Sequence, residues 1–286
     1  MVTLTDLRNF AKYHLIRRVH DHPAPEREMG VALLGYDTTA YGDELMRERA
    51  GFDVSTVAEV AYEGRQHPIF LVATNNPNAR RTLLVLAGVH GNEQAGLLAI
   101  PRLLDTLEPS ELEGVELRIV TPVNAVGAAE GSRYNANGFD INRDFSRFET
   151  PEASAVLRVF GERRPDMIVS LHEGPQDASF LFTNRYVSRE VADGLLLGMG
   201  RAGVELATQD YFGRRLDPPG LAPMTQTFWA LSMVWEKTLG MMATGMWADG
   251  MGIPEVTLES SWRCADSATR VDAHVALVRA ALAELG

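Results

Sequence analysis

Short apolar runs of the kind that form buried β-strands recur along this chain, and helical stretches separate them. The clearest runs are His67–Ala73, Thr82–Gly88, Val115–Pro122, Met167–Leu171 and Glu255–Leu258. Continuous runs of Val, Ile and Leu are typical of strands that are covered on both faces. Strands that alternate with helices predict an α/β fold with a mostly parallel sheet. We therefore expect three layers, α/β/α, around a mixed, mostly parallel sheet.

The length of 286 residues fits one large α/β domain, and no repeat or shift in composition marks a boundary within it. We expect a single domain over residues 1–286, with residues 1–50 as an N-terminal extension packed on it. Within that extension, Leu4, Leu7 and Phe10 recur at helical spacing and predict a helix. Further helices are predicted over Glu93–Leu107, Pro151–Phe160 and Val271–Leu285.

The charge and cysteine content exclude several classes of partner. The formal net charge is −11, and a nucleic-acid backbone is bound by clustered Lys and Arg, so we expect no nucleic-acid partner. Cys264 is the only cysteine, so no internal disulfide can form. The first residues lack a signal-peptide pattern, and no run is apolar enough to span a membrane. These features predict a cytoplasmic protein without a membrane partner, and none of them predicts an oligomeric state.

Side chains that can bind a metal ion or transfer a proton follow several of the predicted strands, at the point where each strand ends. Thr82–Gly88 runs into His90 and Glu93, Met167–Leu171 runs into His172, and Glu255–Leu258 runs into Glu259. The carboxyl ends of parallel strands share one edge of a sheet, where ligands bind. Two histidines and two glutamates at one edge are the residue types that a catalytic zinc site requires.

These residues lie in motifs that together resemble the zinc metallocarboxypeptidases, in particular the short bacterial members that include murein-peptide amidases. The motifs are GVHGNE, PVN followed by SRYNANGFDINRDF, SLHE and GIPEVTLE, in the order that the family has them. The resemblance covers roughly residues 55–285 and leaves the N-terminal extension unexplained. It implies one Zn²⁺ per chain, held by His90, Glu93 and His172.

The same resemblance implies roles for further residues. Glu259 stands at the position of the general base and acid, which takes a proton from zinc-bound water and passes it to the leaving amine. Arg133 matches the arginine that stabilises the oxyanion. Asn142 and Arg143 match the pair that grips the terminal carboxylate of the substrate. Asp140 matches a carboxylate that orients His90.

One element of the larger family members is missing from the sequence. Those members carry a mobile tyrosine shortly before the catalytic glutamate, and it caps the bound substrate. The corresponding stretch here, residues 238–252, contains no tyrosine. Recognition of the terminal carboxylate is therefore expected to differ from that of the larger members.

Three functions are compatible with these motifs. The leading hypothesis is a metallocarboxypeptidase or peptide amidase that cleaves an amide bond beside a carboxylate-bearing residue of a small peptide. The second is an N-acyl-amino-acid deacylase that resembles aspartoacylase and succinylglutamate desuccinylase. Such relatives commonly carry a small β domain after the core, whereas this sequence runs into a helix after Glu259, which favours a peptidase. The third is a non-catalytic binding protein on the same fold.

Overall fold

The computed structural model describes residues 16–25 and 30–286. The helix predicted from Leu4, Leu7 and Phe10 lies outside the described residues. Within them, no helix is both long and apolar enough to cross a membrane.

Within the described residues, eight strands form one mixed sheet, and helices connect most of them. The strands are β1 Phe52–Tyr62, β2 Arg65–Thr74, β3 Arg81–Ala87, β4 Val115–Thr121, β5 Met167–Gly174, β6 Phe180–Thr183, β7 Leu221–Pro223 and β8 Glu255–Ser261. The α-helices are α1 Thr38–Met46, α2 Gln94–Thr106, α3 Ala125–Glu130, α4 Pro151–Glu162, α5 Arg189–Arg201, α6 Gln226–Leu239, α7 Thr244–Gly250 and α8 Ser267–Leu285. Short 3₁₀ turns span Pro109–Leu112 and Ile141–Arg143.

The strand order is β1-β2-β4-β3-β5-β8-β6-β7. The four central strands, β4, β3, β5 and β8, are parallel, and antiparallel pairs join them to β2 and β6 on either side. Each of the five predicted strands and three predicted helices in the described residues is present within a few residues of its expected bounds.

Alternate residues of the central strands pack into two separate cores, one on each face of the sheet. On β3, Leu83 and Val85 pack with helices α1, α2, α5 and α8. Leu84 and Leu86, on the opposite face of the same strand, pack with α3, α4 and α7. A strand that is buried on both faces must be apolar throughout, which explains the continuous apolar runs. The predicted three-layer α/β/α architecture with a mostly parallel sheet is confirmed.

Residues 16–25 lie across the loop that joins α3 to α4. Asp140 N donates to the Arg17 carbonyl oxygen at 2.9 Å, and Val19 N donates to the Gly138 carbonyl oxygen at 3.2 Å. Part of the expected extension therefore packs on the core. The assignment of residues 1–286 to a single domain, with residues 1–50 as its extension, stays a prediction.

Two glycines allow the turn after β3 to pack closely against α3. A Cβ atom on Gly91 would lie 1.9 Å from the Gly127 carbonyl carbon and 2.1 Å from Ala128 N. Gly88, at the start of the turn, has a φ of 71°, which favours glycine. The glycines of the GVHGNE motif therefore set the path of the backbone on either side of His90.

Gly91→Ala is expected to destabilise the fold because the added methyl group overlaps backbone atoms that cannot move aside. The expected loss in the free energy of unfolding is about 1–3 kcal/mol or more, typical of overpacking. Urea unfolding monitored by circular dichroism measures it. Gly161→Ala is the matched control, because a Cβ atom there meets nothing within 4 Å and alanine favours the helix. Equal midpoints for the two variants would contradict the close approach at Gly91.

Candidate metal centre and active site

The parallel register of the sheet brings the predicted ligands together. His90 and Glu93 follow β3, and His172 lies within β5, the next strand. The His90 Nδ1 atom is 2.7 Å from Glu93 Oε1, and the His172 Nδ1 atom is 2.8 Å from Glu93 Oε2. The two Nδ1 atoms are 3.1 Å apart. All three residues are buried, so their polar atoms face one another in a water-poor space.

This donor set fits a metal ion. Ligands at about 2.0–2.1 Å from a tetrahedral zinc ion lie about 3.3 Å from one another, close to the distances between these three side chains. Burial lowers the pKa of His172, which favours the neutral imidazole that binds metals. Burial alone would raise the pKa of Glu93, but His90 and His172 together lower it below its ordinary value. His90, Glu93 and His172 also form a group of potential metal ligands within 4.8 Å of one another.

Each histidine has a second contact that fixes its ring. The His90 Nε2 atom lies 3.3 Å from Asp140 Oδ1, and the His172 Nε2 atom lies 3.2 Å from Ser170 Oγ. Asp140 Oδ1 also accepts from Asn142 N at 3.0 Å. The structure therefore brings Asp140 to the position from which it can orient His90, as the motif implies.

Arg133 contacts the predicted ligands and also Asp140, the carboxylate beside His90. Its Nε and Nη2 atoms donate to Asp140 Oδ2 at 3.0 and 2.8 Å. Its Nη1 atom is 3.2 Å from His90 Nδ1 and 3.6 Å from Glu93 Oε1. Despite burial, Arg133 lowers the pKa of Asp140 well below its ordinary range, so that carboxylate stays charged. The guanidinium is thus held as a fixed positive charge in contact with His90 and close to Glu93.

Asn142 and Arg143 lie on the 3₁₀ turn that directly follows Asp140. Asn142 Oδ1 accepts from Thr244 N at 3.1 Å, which ties this turn to helix α7. Arg143 Nη1 donates to the Asn142 carbonyl oxygen at 2.8 Å, and Met242 N donates to the Arg143 carbonyl oxygen at 3.2 Å. The stretch 238–252, which lacks a tyrosine, therefore supports this turn through its backbone.

Glu259 lies beside His172 because the two are direct partners in the parallel pairing of β5 and β8. Glu259 is half-buried, whereas Glu93 is fully buried. Burial raises the pKa of Glu259 well above its ordinary value, and the Glu93 carboxylate raises it further, whereas Arg133 lowers it. A carboxyl group with a raised pKa next to a ligand set is suited to take up and release a proton.

A buried ion pair behind the ligands was not predicted from the sequence. Arg270, on α8, donates from Nε to Glu173 Oε1 at 2.7 Å. Glu173 Oε2 accepts from Ala95 N at 3.0 Å, at the start of α2. Glu173 N in turn donates to Glu93 Oε2 at 3.1 Å. Glu173 stands in the SLHE motif, but nothing in the sequence links it to an arginine 97 positions later.

Comparisons with known sequences support the resemblance that the motifs predict. A sequence model of the succinylglutamate desuccinylase/aspartoacylase catalytic domain matches residues 79–192. Murein peptide amidase A of Escherichia coli K12 is 38% identical over 80 residues, which are 28% of this chain and 32% of the amidase. The chain thus matches about a third of the length of that curated relative.

Comparisons with solved structures show the fold. A Shewanella denitrificans OS217 protein, provisionally named a metallopeptidase, aligns with a TM-score of 0.66 at 20% identity, over 87% of this chain and 90% of that one. A metallo-carboxypeptidase of Pseudomonas aeruginosa, in complex with (2-guanidinoethylmercapto)succinic acid, aligns with a TM-score of 0.61 at 18% identity, over 86% and 68%. A succinylglutamate desuccinylase of Silicibacter sp. TM1040 aligns with a TM-score of 0.55 at 16% identity, over 82% and 67%. The sequence matches support the resemblance that the motifs carry, and the structural alignments show that the chain shares its fold with these proteins.

His90→Ala and His172→Ala are each expected to abolish metal binding, because two remaining ligands rarely hold a zinc ion. The wild-type protein, purified in the presence of zinc and then desalted, should retain about one ion per chain. Plasma mass spectrometry measures the metal content, and circular dichroism checks the fold. His22→Ala is the matched control, because His22 is exposed and lies against Asp21 instead. Unchanged zinc content in both variants would contradict the ligand assignment.

Proposed function

We propose that this chain is a zinc-dependent hydrolase that cleaves an amide bond next to a carboxylate-bearing residue of a small peptide. The observation that carries the proposal is the buried set of His90, Glu93 and His172, with Glu259 placed beside His172 by the strand register. Three protein ligands that leave one position open are typical of catalytic zinc sites. The proposed ion is Zn²⁺, one per chain.

Zinc, when bound, supplies Lewis acidity, which lowers the pKa of water and polarises a carbonyl group. Glu259 is proposed to accept the proton of the attacking water and to deliver it to the leaving nitrogen. Its raised pKa and partly exposed position suit both transfers. Arg133 is proposed to stabilise the negative charge that develops on the carbonyl oxygen, since its guanidinium is already fixed by Asp140.

Asn142 and Arg143 are proposed to hold the carboxylate of the substrate. A guanidinium can donate two parallel hydrogen bonds to a carboxylate, and this geometry gives both affinity and orientation. The turn that carries the two residues is tied to Asp140 on one side and to Thr244 on the other. Asp140 also contacts His90. The same carboxylate therefore positions both the turn proposed to bind the substrate and the predicted metal ligands.

A second candidate function is an N-acyl-amino-acid deacylase. The match of residues 79–192 to the desuccinylase/aspartoacylase catalytic domain favours it. Both functions cleave an amide bond beside a carboxylate, so they use the same residues here. A binding protein without catalysis on this fold is the third candidate, and it gives no reason for Glu259 to stand beside the ligands. The cytoplasmic location stays a prediction.

A substrate panel separates these candidates. It contains peptides that differ in their C-terminal residue, murein-type peptides and N-acyl-amino acids, and release of free amine is measured for the zinc-loaded protein. Preferred cleavage of peptides supports the amidase or carboxypeptidase, and preferred cleavage of acyl-amino acids supports the deacylase. Absence of turnover on the whole panel would contradict the proposed function.

Glu259→Gln is expected to keep both zinc and fold but to lower kcat by about 10²-fold or more, because the amide cannot accept a proton. Steady-state kinetics on the best panel substrate measures this loss. Glu116→Gln is the matched control, because Glu116 pairs with Arg118 and Arg163 near the start of β4, at the opposite edge of the sheet. A near wild-type kcat for Glu259→Gln would exclude Glu259 as the base.

Amidation of the substrate carboxylate is expected to cost roughly 2–5 kcal/mol in transition-state binding, typical of breaking a desolvated charge pair. Arg143→Ala should remove most of the difference in kcat/KM between the free acid and the amide. Arg81→Ala, at the start of β3, is the control and should preserve that difference. If the wild-type enzyme cleaves both forms equally well, the peptidase and deacylase proposals both fail, and an endo-acting hydrolase becomes the better account.

A further inference from the structure

Two roles compete for the side chain of Glu93, because helix α2 begins directly after this residue. Glu93 occupies the N-cap position of α2, where a side-chain oxygen ordinarily accepts a hydrogen bond from a backbone N–H of the first turn. Its two oxygens instead face His90 and His172, at 2.7 and 2.8 Å. The structure describes every residue of α2, and the Glu93 side chain caps none of them. The first turn of the helix therefore requires another acceptor.

Glu173 supplies that acceptor from the end of β5. Its Oε2 atom accepts from Ala95 N at 3.0 Å. Ala95 is the second residue of α2, and its N–H is one that an N-cap side chain ordinarily binds. The backbone N of Glu173 donates to Glu93 Oε2 at 3.1 Å. Glu173 thus caps the helix and also holds the Glu93 carboxylate in the direction of the histidines.

Arg270 fixes the orientation of the Glu173 carboxylate. Both side chains are buried, and Arg270 Nε donates to Glu173 Oε1 at 2.7 Å. Arg270 Nη1 donates to the Ala32 carbonyl oxygen at 2.9 Å, which ties the arginine to the N-terminal extension. Because each carboxylate oxygen of Glu173 has its own donor, the group cannot rotate without losing a hydrogen bond.

We propose that Glu173 is a positioning residue, which caps helix α2 in place of Glu93 and so keeps the Glu93 carboxylate free to bind the metal ion. The inference rests on the proposed function, because it requires Glu93 to be a zinc ligand. Without the Glu173 carboxylate, Ala95 N would be a buried donor without its acceptor, which is unfavourable. Glu93 could then accept from this N–H only by turning away from the histidines. A group that holds a ligand in its binding orientation contributes to metal affinity without touching the ion.

Two double variants isolate the capping oxygen. Both contain Arg270→Met, which removes the charge that would otherwise be buried without its partner. Glu173→Gln keeps an oxygen that can accept from Ala95 N, whereas Glu173→Leu fills a similar space without an acceptor. The zinc affinity of the leucine variant should be about 10- to 100-fold lower than that of the glutamine variant. Competition with a chromogenic chelator measures the affinity of each protein for zinc.

Ser188→Ala is the matched control, because it removes a helix cap at a different place. Ser188 Oγ accepts from Val191 N at 3.2 Å, at the start of α5. This variant should lower the thermal midpoint, as expected for a lost cap, but leave the zinc affinity unchanged. The visible absorption of the cobalt-substituted proteins is a second readout, since it reports the ligand set of the ion. It should change in the leucine variant and stay that of the wild type in Ser188→Ala.

The outcomes separate this inference from the function on which it rests. Equal zinc affinities of the two double variants overturn the role of Glu173 alone, whereas a wild type that retains no zinc overturns the ligand assignment and this inference with it. If the leucine variant does not fold, hydrogen exchange of the wild type decides. The Ala95 amide should be equally protected with and without zinc, because Glu173 caps it in both states. Protection that falls when zinc is added would mean that Glu93 caps α2 in the metal-free protein, and the role of Glu173 would be excluded.

Discussion

The burial of the Glu93 carboxylate is the constraint on which the arrangement of the site depends. A buried carboxylate without partners carries a large desolvation penalty. Here His90 and His172 approach its two oxygens from two strands, and they lower the pKa of Glu93 although burial opposes them. The turn after β3 and the end of β5 can supply these partners only when the parallel register is correct. The electrostatic requirement of one side chain therefore ties the register of the sheet to the geometry of the site.

Around this centre, a few buried charged side chains each contact several neighbouring groups. Asp140 contacts His90, the backbone of Asn142 and the guanidinium of Arg133. On the opposite side, Glu173 joins the start of α2 to Arg270 of α8. Networks of this kind rigidify a core when each member has a partner. Such rigidity preorganises the charges that the proposed reaction needs, because they do not have to reorient as the substrate reacts.

Glu259 differs from these supporting carboxylates in a way that matches its proposed role. Glu93, Asp140 and Glu173 are buried, and both carboxylate oxygens of each residue have a hydrogen-bonding partner. Glu259 is partly exposed, and the strand pairing fixes its backbone rather than its carboxyl group. A group that carries a proton from one atom to another needs this freedom, whereas a group that orients a ligand needs to be fixed.

The sequence by itself predicted the elements of the fold and the residues that meet at the candidate site. Apolar runs give the strands because a sheet covered on both faces must be apolar throughout, and His90, His172 and Glu259 follow strands whose carboxyl ends meet at one edge. The tertiary structure alone decided which distant residues complete the site. Arg270 reaches Glu173 from 97 positions away, and no local pattern in the sequence connects the two residues. The periodicity of apolar residues predicts which face of a helix or strand is buried. It does not predict which elements contact one another, because that depends on how the layers pack.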